Sequence, residues 1–197
     1  MYQKQKPKLK KKLRIGIDLD NTIINYGNAF QKINYKFFDD NKKINKKRLK
    51  IKIEKIFKNK GWSIIQEIIF GKYITYCQPY SGFSNFYQKN KKKNNLLYIV
   101  SHKTRLSEYS KKYQIRDKAK SWIFKNIKNI KKNEIFFEKT LKDKVKRIKK
   151  LKLDFFIDDM YQVLTDKEFD RNCQKILFKD KKKILKVLIL GTKYINI

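Results

Sequence analysis

The stretch IGIDLDNTI (15–23) sits inside the apolar run LRIGIDL (13–19), which ends in the turn-prone pair Asp20-Asn21. A short, unalternating apolar run is how a strand buried on both faces reads. Working outward, the pattern recurs. LLYIV (96–100) runs into Ser101, EIFFE (134–138) follows, DFFI (154–157) runs into Asp158-Asp159, and QKILF (174–178) makes a fifth strand. KVLIL (186–190) suits either a sixth strand or a helix end. Between these runs, helical spacing covers 107–128, with Trp122, Ile123 and Ile127 on one side, and 141–151, with Val145, Ile148 and Leu151. Strand–helix–strand repetition predicts an α/β fold with a mostly parallel sheet and right-handed crossovers. Ligands in such sheets bind at the carboxyl ends of the strands.

Residues 25–95 carry no strong strand pattern. Two stretches there read as helix, 43–59 and 62–70, with Gly61 and Gly71 as punctuation, and KNKKKNN (89–95) reads as a polar connector. The expected organisation is a core of residues 1–24 plus 91–197, a small helical insert at 25–90, and a basic, frayed arm at 1–12.

The chain has 197 residues, the size of one compact unit. Its 41% hydrophobic and 14% aromatic content is incompatible with wholesale disorder. No uncharged apolar run reaches the length of a membrane span, and the basic start leads into no signal-like segment. Cys77 and Cys173 make neither a disulfide framework nor a metal spacing, so the expected location is the cytoplasm and no membrane partner is expected. The net charge of +34 would ordinarily point to nucleic acid. However, 46 Lys stand against 6 Arg, alongside 27 Ile, 16 Asn and only two Ala. That is what A/T-rich codons produce, and a phosphate-reading surface favours the planar fork of Arg. Nucleic acid is therefore the less favoured partner, and a small anionic substrate the more favoured one.

The strand ends carry the chemistry. The first supplies Asp18, Asp20 and Thr22. The second supplies Ser101-His102-Lys103-Thr104, and the fourth Asp158-Asp159. A lysine-rich helix start, Lys139 to Lys144, lies between the third and fourth strands. Four carboxylates at one sheet edge repel one another, and oxygen-only ligands suit Mg²⁺. Asp18 and Asp20, two residues apart, can face the same side, one as nucleophile and one as proton donor. Thr22 and Ser101 can donate to phosphoryl oxygens. The blander readings are a turn for the aspartates, a cap for Ser101 and a helix start for Asp158-Asp159. His102, the only histidine, suits packing or substrate orientation, and the cysteines suit apolar burial.

IGIDLDNTI (15–23), IVSHKT (99–104), the lysine-bearing helix start and FFIDDM (155–160) resemble the four motifs of the haloacid dehalogenase-like (HAD) phosphohydrolase superfamily. The segments GWSIIQEIIFGKYI (61–74) and PYSGFSNF (79–86) resemble a subgroup of HAD hydrolases of unassigned substrate. The resemblance implies a Rossmann-like three-layer sandwich, with the insert after the first strand acting as a small helical cap. It implies Mg²⁺-dependent phosphomonoester hydrolysis, with Asp18 as nucleophile and Asp20 as acid/base. Ser101 and a lysine would hold the phosphoryl group; Lys139, Lys142 and Lys144 all lie near the place, and Lys144 is chosen because it sits early in the helix that precedes the fourth strand, a helix that Val145 and Ile148 would anchor on the sheet. Asp18, the backbone carbonyl of Asp20, and Asp158 or Asp159 would hold the metal. The expected substrate is a small phosphorylated metabolite such as a sugar phosphate or nucleotide. The alternatives are a nucleic-acid end phosphatase and a non-catalytic binding protein.

Overall fold

A computed structural model describes residues 12–178. KVLIL (186–190) and the basic arm apart from Lys12 lie outside the described residues. The central strand β1 (Arg14–Ile17) lies inside the apolar run LRIGIDL (13–19) and stops one residue before Asp18. It pairs in parallel with β4 (Leu96–His102) on one side and β6 (Phe155–Asp158) on the other. Outside these lie β5 (Ile135–Glu138) and β7 (Gln174–Leu177), also parallel, giving the order β5-β4-β1-β6-β7. The chain leaves β1 toward β4 on one side and later returns to β6 on the other. The strand order thus reverses at β1, and such a switch point opens a crevice at the carboxyl ends.

Alternating strand residues fill two cores. Ile99 and Ile157 face one side, where α4 (Ile115–Asn126) packs Ala119, Trp122 and Ile123. Val100 and Phe156 face the other, where α5 (Leu141–Lys150) packs Val145 and Ile148. The result is the expected three-layer α/β sandwich.

Between β1 and β4 the structure differs in detail from the expected two helices. A small antiparallel pair, β2 (Ile24–Asn25) with β3 (Gln78–Pro79), brackets α1 (Gly27–Phe38) and α2 (Lys46–Gly71). Helix α1 has no counterpart in the sequence reading; its buried face, Ala29, Phe30, Ile33 and Asn34, includes a polar residue that blurs the period. Helix α2 runs through Gly61 and is interrupted instead at Lys58, whose φ of 55° is non-helical. The expected connector 89–95 is largely the end of α3 (Phe83–Lys92), where Lys89, Lys91 and Lys92 suit the negative end of the helix dipole. Helix α4 begins at Ile115 rather than 107, because Glu67 takes up amides of the loop before it.

Gly16 lets β1 sit against the α5 side of the core. A Cβ there would lie 2.3 Å from Leu153 Cδ1 and 2.7 Å from Phe156 Cδ2. Gly71 serves the same need at the end of α2, where a Cβ would lie 2.2 Å from the Tyr113 ring. Overpacking of a filled core costs about 1–3 kcal/mol. Gly16→Ala is therefore expected to lower stability by about that amount, read as a lower urea midpoint with an unchanged slope.

Candidate active site

Two parallel strands side by side put their last residues side by side. Asp158 ends β6, and Asp18 follows β1, its N–H donating to Ile157 O at 2.8 Å. Beyond Asp18 the chain turns tightly. The carbonyl of Leu19 accepts from Ile23 N and Ile24 N, at 3.0 and 2.9 Å, and Asn21 takes the left-handed conformation that Asn tolerates. Across the sheet edge, Thr140 caps α5 by accepting from Asp143 N at 3.0 Å. One turn later Lys144 enters the crevice, anchored by Val145 and Ile148 on the sheet. Its Nζ lies 2.5 Å from Asp18 Oδ1 and 2.7 Å from Asp158 Oδ2, with the side chain 1% exposed. Of the other candidate lysines, Lys142 makes a surface contact with Glu168 at 3.6 Å, and Lys139 offers its carbonyl to the His102 ring at 2.9 Å.

Burial raises the Asp18 carboxyl, and the Asp158 and Asp20 carboxylates add to this against the pull of Lys144. Burial raises Asp158 as well, again against Lys144. Asp159 is pushed up to about 6, by burial first and then by Asp18. Burial would depress the Lys144 ammonium, but the facing carboxylates outweigh it and hold it up. One ammonium thus stands against three carboxylates, whose oxygens lie within 4.8 Å of one another. An all-oxygen set with surplus negative charge fits a hard divalent cation.

Asp20 stands apart from that group, so the expected four-carboxylate cluster divides into three and one. Its carboxylate accepts from the Tyr26 hydroxyl at 2.5 Å, and Lys103 Nζ lies 2.8 Å from Oδ2. The sequence reading assigned no role to Tyr26 or Lys103. For Lys103 a signal existed: it lies two residues past Ser101, at a strand end, and so on the same side. Thr22 and Ser101 are buried, and their hydroxyls have no partner among the described residues. An unpaired buried hydroxyl is costly, and a bound oxyanion would relieve it. Cys77 and Cys173 are buried and unpaired, with thiols pushed up to about 12 by burial, which makes them inert.

Over this floor lies a cavity of about 400 Å³. Lys46, Ser63, Gln66 and Phe70 of α2 line it together with Asp18 and Asp20. Glu67 braces the adjoining loop by accepting from the amides of Tyr109 and of Ser110, the latter at 3.1 Å. Burial would raise the Glu67 carboxyl, but these amides hold it low.

The sequence matches no family model and no curated protein. Among solved structures, the chain is similar to a HAD-superfamily hydrolase from Ehrlichia chaffeensis, at 15% identity and TM-score 0.49, over 91% of this chain and 98% of that one. It is similar to a HAD hydrolase, family IA, variant 3, from Entamoeba histolytica, at 12% identity and TM-score 0.46, over 91% and 89%. A haloacid dehalogenase-like family hydrolase from Xanthomonas campestris gives 11% identity and TM-score 0.40, over 90% and 96%.

Removing one partner of a buried ion pair leaves an uncompensated charge, at a cost of about 3–5 kcal/mol. Lys144→Met is expected to destabilise the protein by that order in urea unfolding. A loss of less than about 1 kcal/mol would show that the cluster adds little to the fold.

Proposed function

We propose that the chain is a HAD-type phosphomonoester hydrolase that uses Mg²⁺ and an aspartyl-phosphate on Asp18. The observation that carries this reading is the setting of Asp18. It is buried at the end of the central strand, in contact with Lys144, and grouped with Asp158 and Asp159. Two residues on, Asp20 is held by different partners and faces the same cavity.

In this reading a carboxylate oxygen of Asp18 attacks phosphorus while the bond to the leaving oxygen breaks. Asp20 gives its proton to that oxygen, then takes one from the water that attacks the aspartyl-phosphate, releasing phosphate and restoring Asp18. Lys144 neutralises charge on the phosphoryl oxygens, and the Thr22 and Ser101 hydroxyls donate to them. Asp18, Asp158 and Asp159 would hold the Mg²⁺, which supplies further neutralisation of the transferring group. The cavity volume supports a small leaving group such as a sugar or nucleoside.

The net charge of +34 favours a second reading, hydrolysis of a phosphate at a nucleic-acid end. Its mark is affinity for oligonucleotides that falls steeply with salt; flat, weak binding removes it. Among the described residues no helix is long and apolar enough to cross a membrane. A cytoplasmic site of action, away from membranes, is part of the proposal.

The test is phosphate release from a panel of sugar phosphates, nucleotides and phosphorylated oligonucleotide ends. Release is expected with Mg²⁺ and not with EDTA. Asp18→Asn is expected to fall to background while remaining folded. Asp20→Asn is expected to lose about 10²–10⁴-fold. A folded wild-type protein that binds Mg²⁺ and releases no phosphate from any panel member would favour the non-catalytic binding protein instead.

A further inference from the structure

Both groups that hold Asp20 rest on one side chain of the helical insert. Lys103 Nζ contacts both carboxylate oxygens, Oδ2 at 2.8 Å and Oδ1 at 3.1 Å, and the Tyr26 hydroxyl donates to Oδ1. Phe70, near the end of α2, carries the Lys103 ammonium 4.5 Å from its ring centroid. The Tyr26 ring meets the same ring edge-on, with centroids 5.3 Å apart and planes at 61°. Lys103 and Tyr26 are 4% and 1% exposed. The root of Lys103 is fixed as well: its N–H donates to Glu138 O, and its carbonyl accepts from Arg116 Nε, each at 2.8 Å.

A buried ammonium needs a carboxylate, and among the described residues the ion pair of Lys103 is with Asp20. Cation–π attraction then places that ammonium on the Phe70 face. A carboxyl has about four acceptor positions. Lys103 and Tyr26 occupy three, which leaves one at Oδ2 open. Among the described residues their side-chain hydrogen bonds and ion pair go to Asp20, and none joins them to Asp18, Lys144 or Asp158.

We infer that Lys103 and Tyr26, both seated on Phe70, are positioning residues that aim the Asp20 carboxyl at the leaving oxygen. The inference rests on the reading of Asp20 as the proton donor. When the phosphorus–oxygen bond breaks, its electron pair goes to the leaving oxygen, which receives the proton of Asp20. An alkoxide leaving group needs that proton, whereas p-nitrophenolate leaves without it. Loss of aim therefore harms alkyl phosphates selectively, and a misplacement of about 1 Å can cost about a hundredfold.

The experiment compares kcat/KM for glycerol 2-phosphate and p-nitrophenyl phosphate with Mg²⁺, in wild type, Tyr26→Phe, Lys103→Met, Phe70→Leu and Asp20→Asn. The ratio kcat/KM covers steps up to leaving-group departure, so slow hydrolysis of the aspartyl-phosphate does not mask the effect. Tyr26→Phe and Lys103→Met are expected to lose about tenfold or more extra activity on the alkyl ester. Phe70→Leu is expected to shift the same way by less. In an Asp20→Asn background, adding Lys103→Met is expected to leave the alkyl-to-aryl ratio where Asp20→Asn alone puts it. Tyr26→Phe keeps the ring and its packing on Phe70, so it reads the positioning role even if Lys103→Met does not fold. Equal losses on both esters, in a wild type that turns over both, overturn the inference alone. A wild type that turns over neither these esters nor any member of the phosphate panel overturns the reading of Asp20 and the inference with it.

Discussion

Two carboxylates and one ammonium meet at the end of the central strand with almost no access to water. Asp18 and Asp158 each contact Lys144 within 2.7 Å. Any of the three buried alone would cost several kcal/mol, so each demands the others. That demand constrains the whole core. Strands β1 and β6 must be adjacent, parallel and in register for Asp18 and Asp158 to stand together. Helix α5 must cross the sheet with Val145 and Ile148 down, because only then does Lys144 reach the edge. Gly16 belongs to the same constraint, since it lets Leu153 and Phe156 close on β1 from the side that α5 covers.

The neutralisation is incomplete. With Asp159 included, one ammonium faces three carboxylates, all of them raised by burial. Such a set favours an added cation. Asp20 escapes the crowd although it is only two residues away. The turn at Asn21 sends the chain back toward Ile24, and Tyr26 and Lys103 draw the Asp20 carboxylate to themselves. Two chemically identical side chains thereby acquire different surroundings.

The helical insert is tied into this arrangement. Phe70 contacts both residues that hold Asp20, and Glu67, one turn earlier on α2, braces the loop after β4 through the amides of Tyr109 and Ser110. Part of the cavity lining is thus built from the helix that supports the surroundings of Asp20.

The sheet was legible in the sequence because its strands are buried on both faces and read as short apolar runs. The positions of Asp18, Asp20 and Asp158-Asp159 followed, because acids at strand ends stand out against those runs. The insert was less legible. Helix α1 buries Asn34 among its apolar residues, and the lysines closing α3 look like a loop in a chain this rich in Lys. Choosing among Lys139, Lys142 and Lys144 needed the helix register, since α5 buries only one face. The network of Lys103, Tyr26 and Phe70 was hidden for a different reason. Its members come from a strand end, a turn and the far end of a 26-residue helix. Local sequence determined which residues carry charge and which segments seek burial. Only the tertiary structure decided which charges meet, because a buried ion pair depends on distances of a few ångströms between groups as far apart as 126 residues.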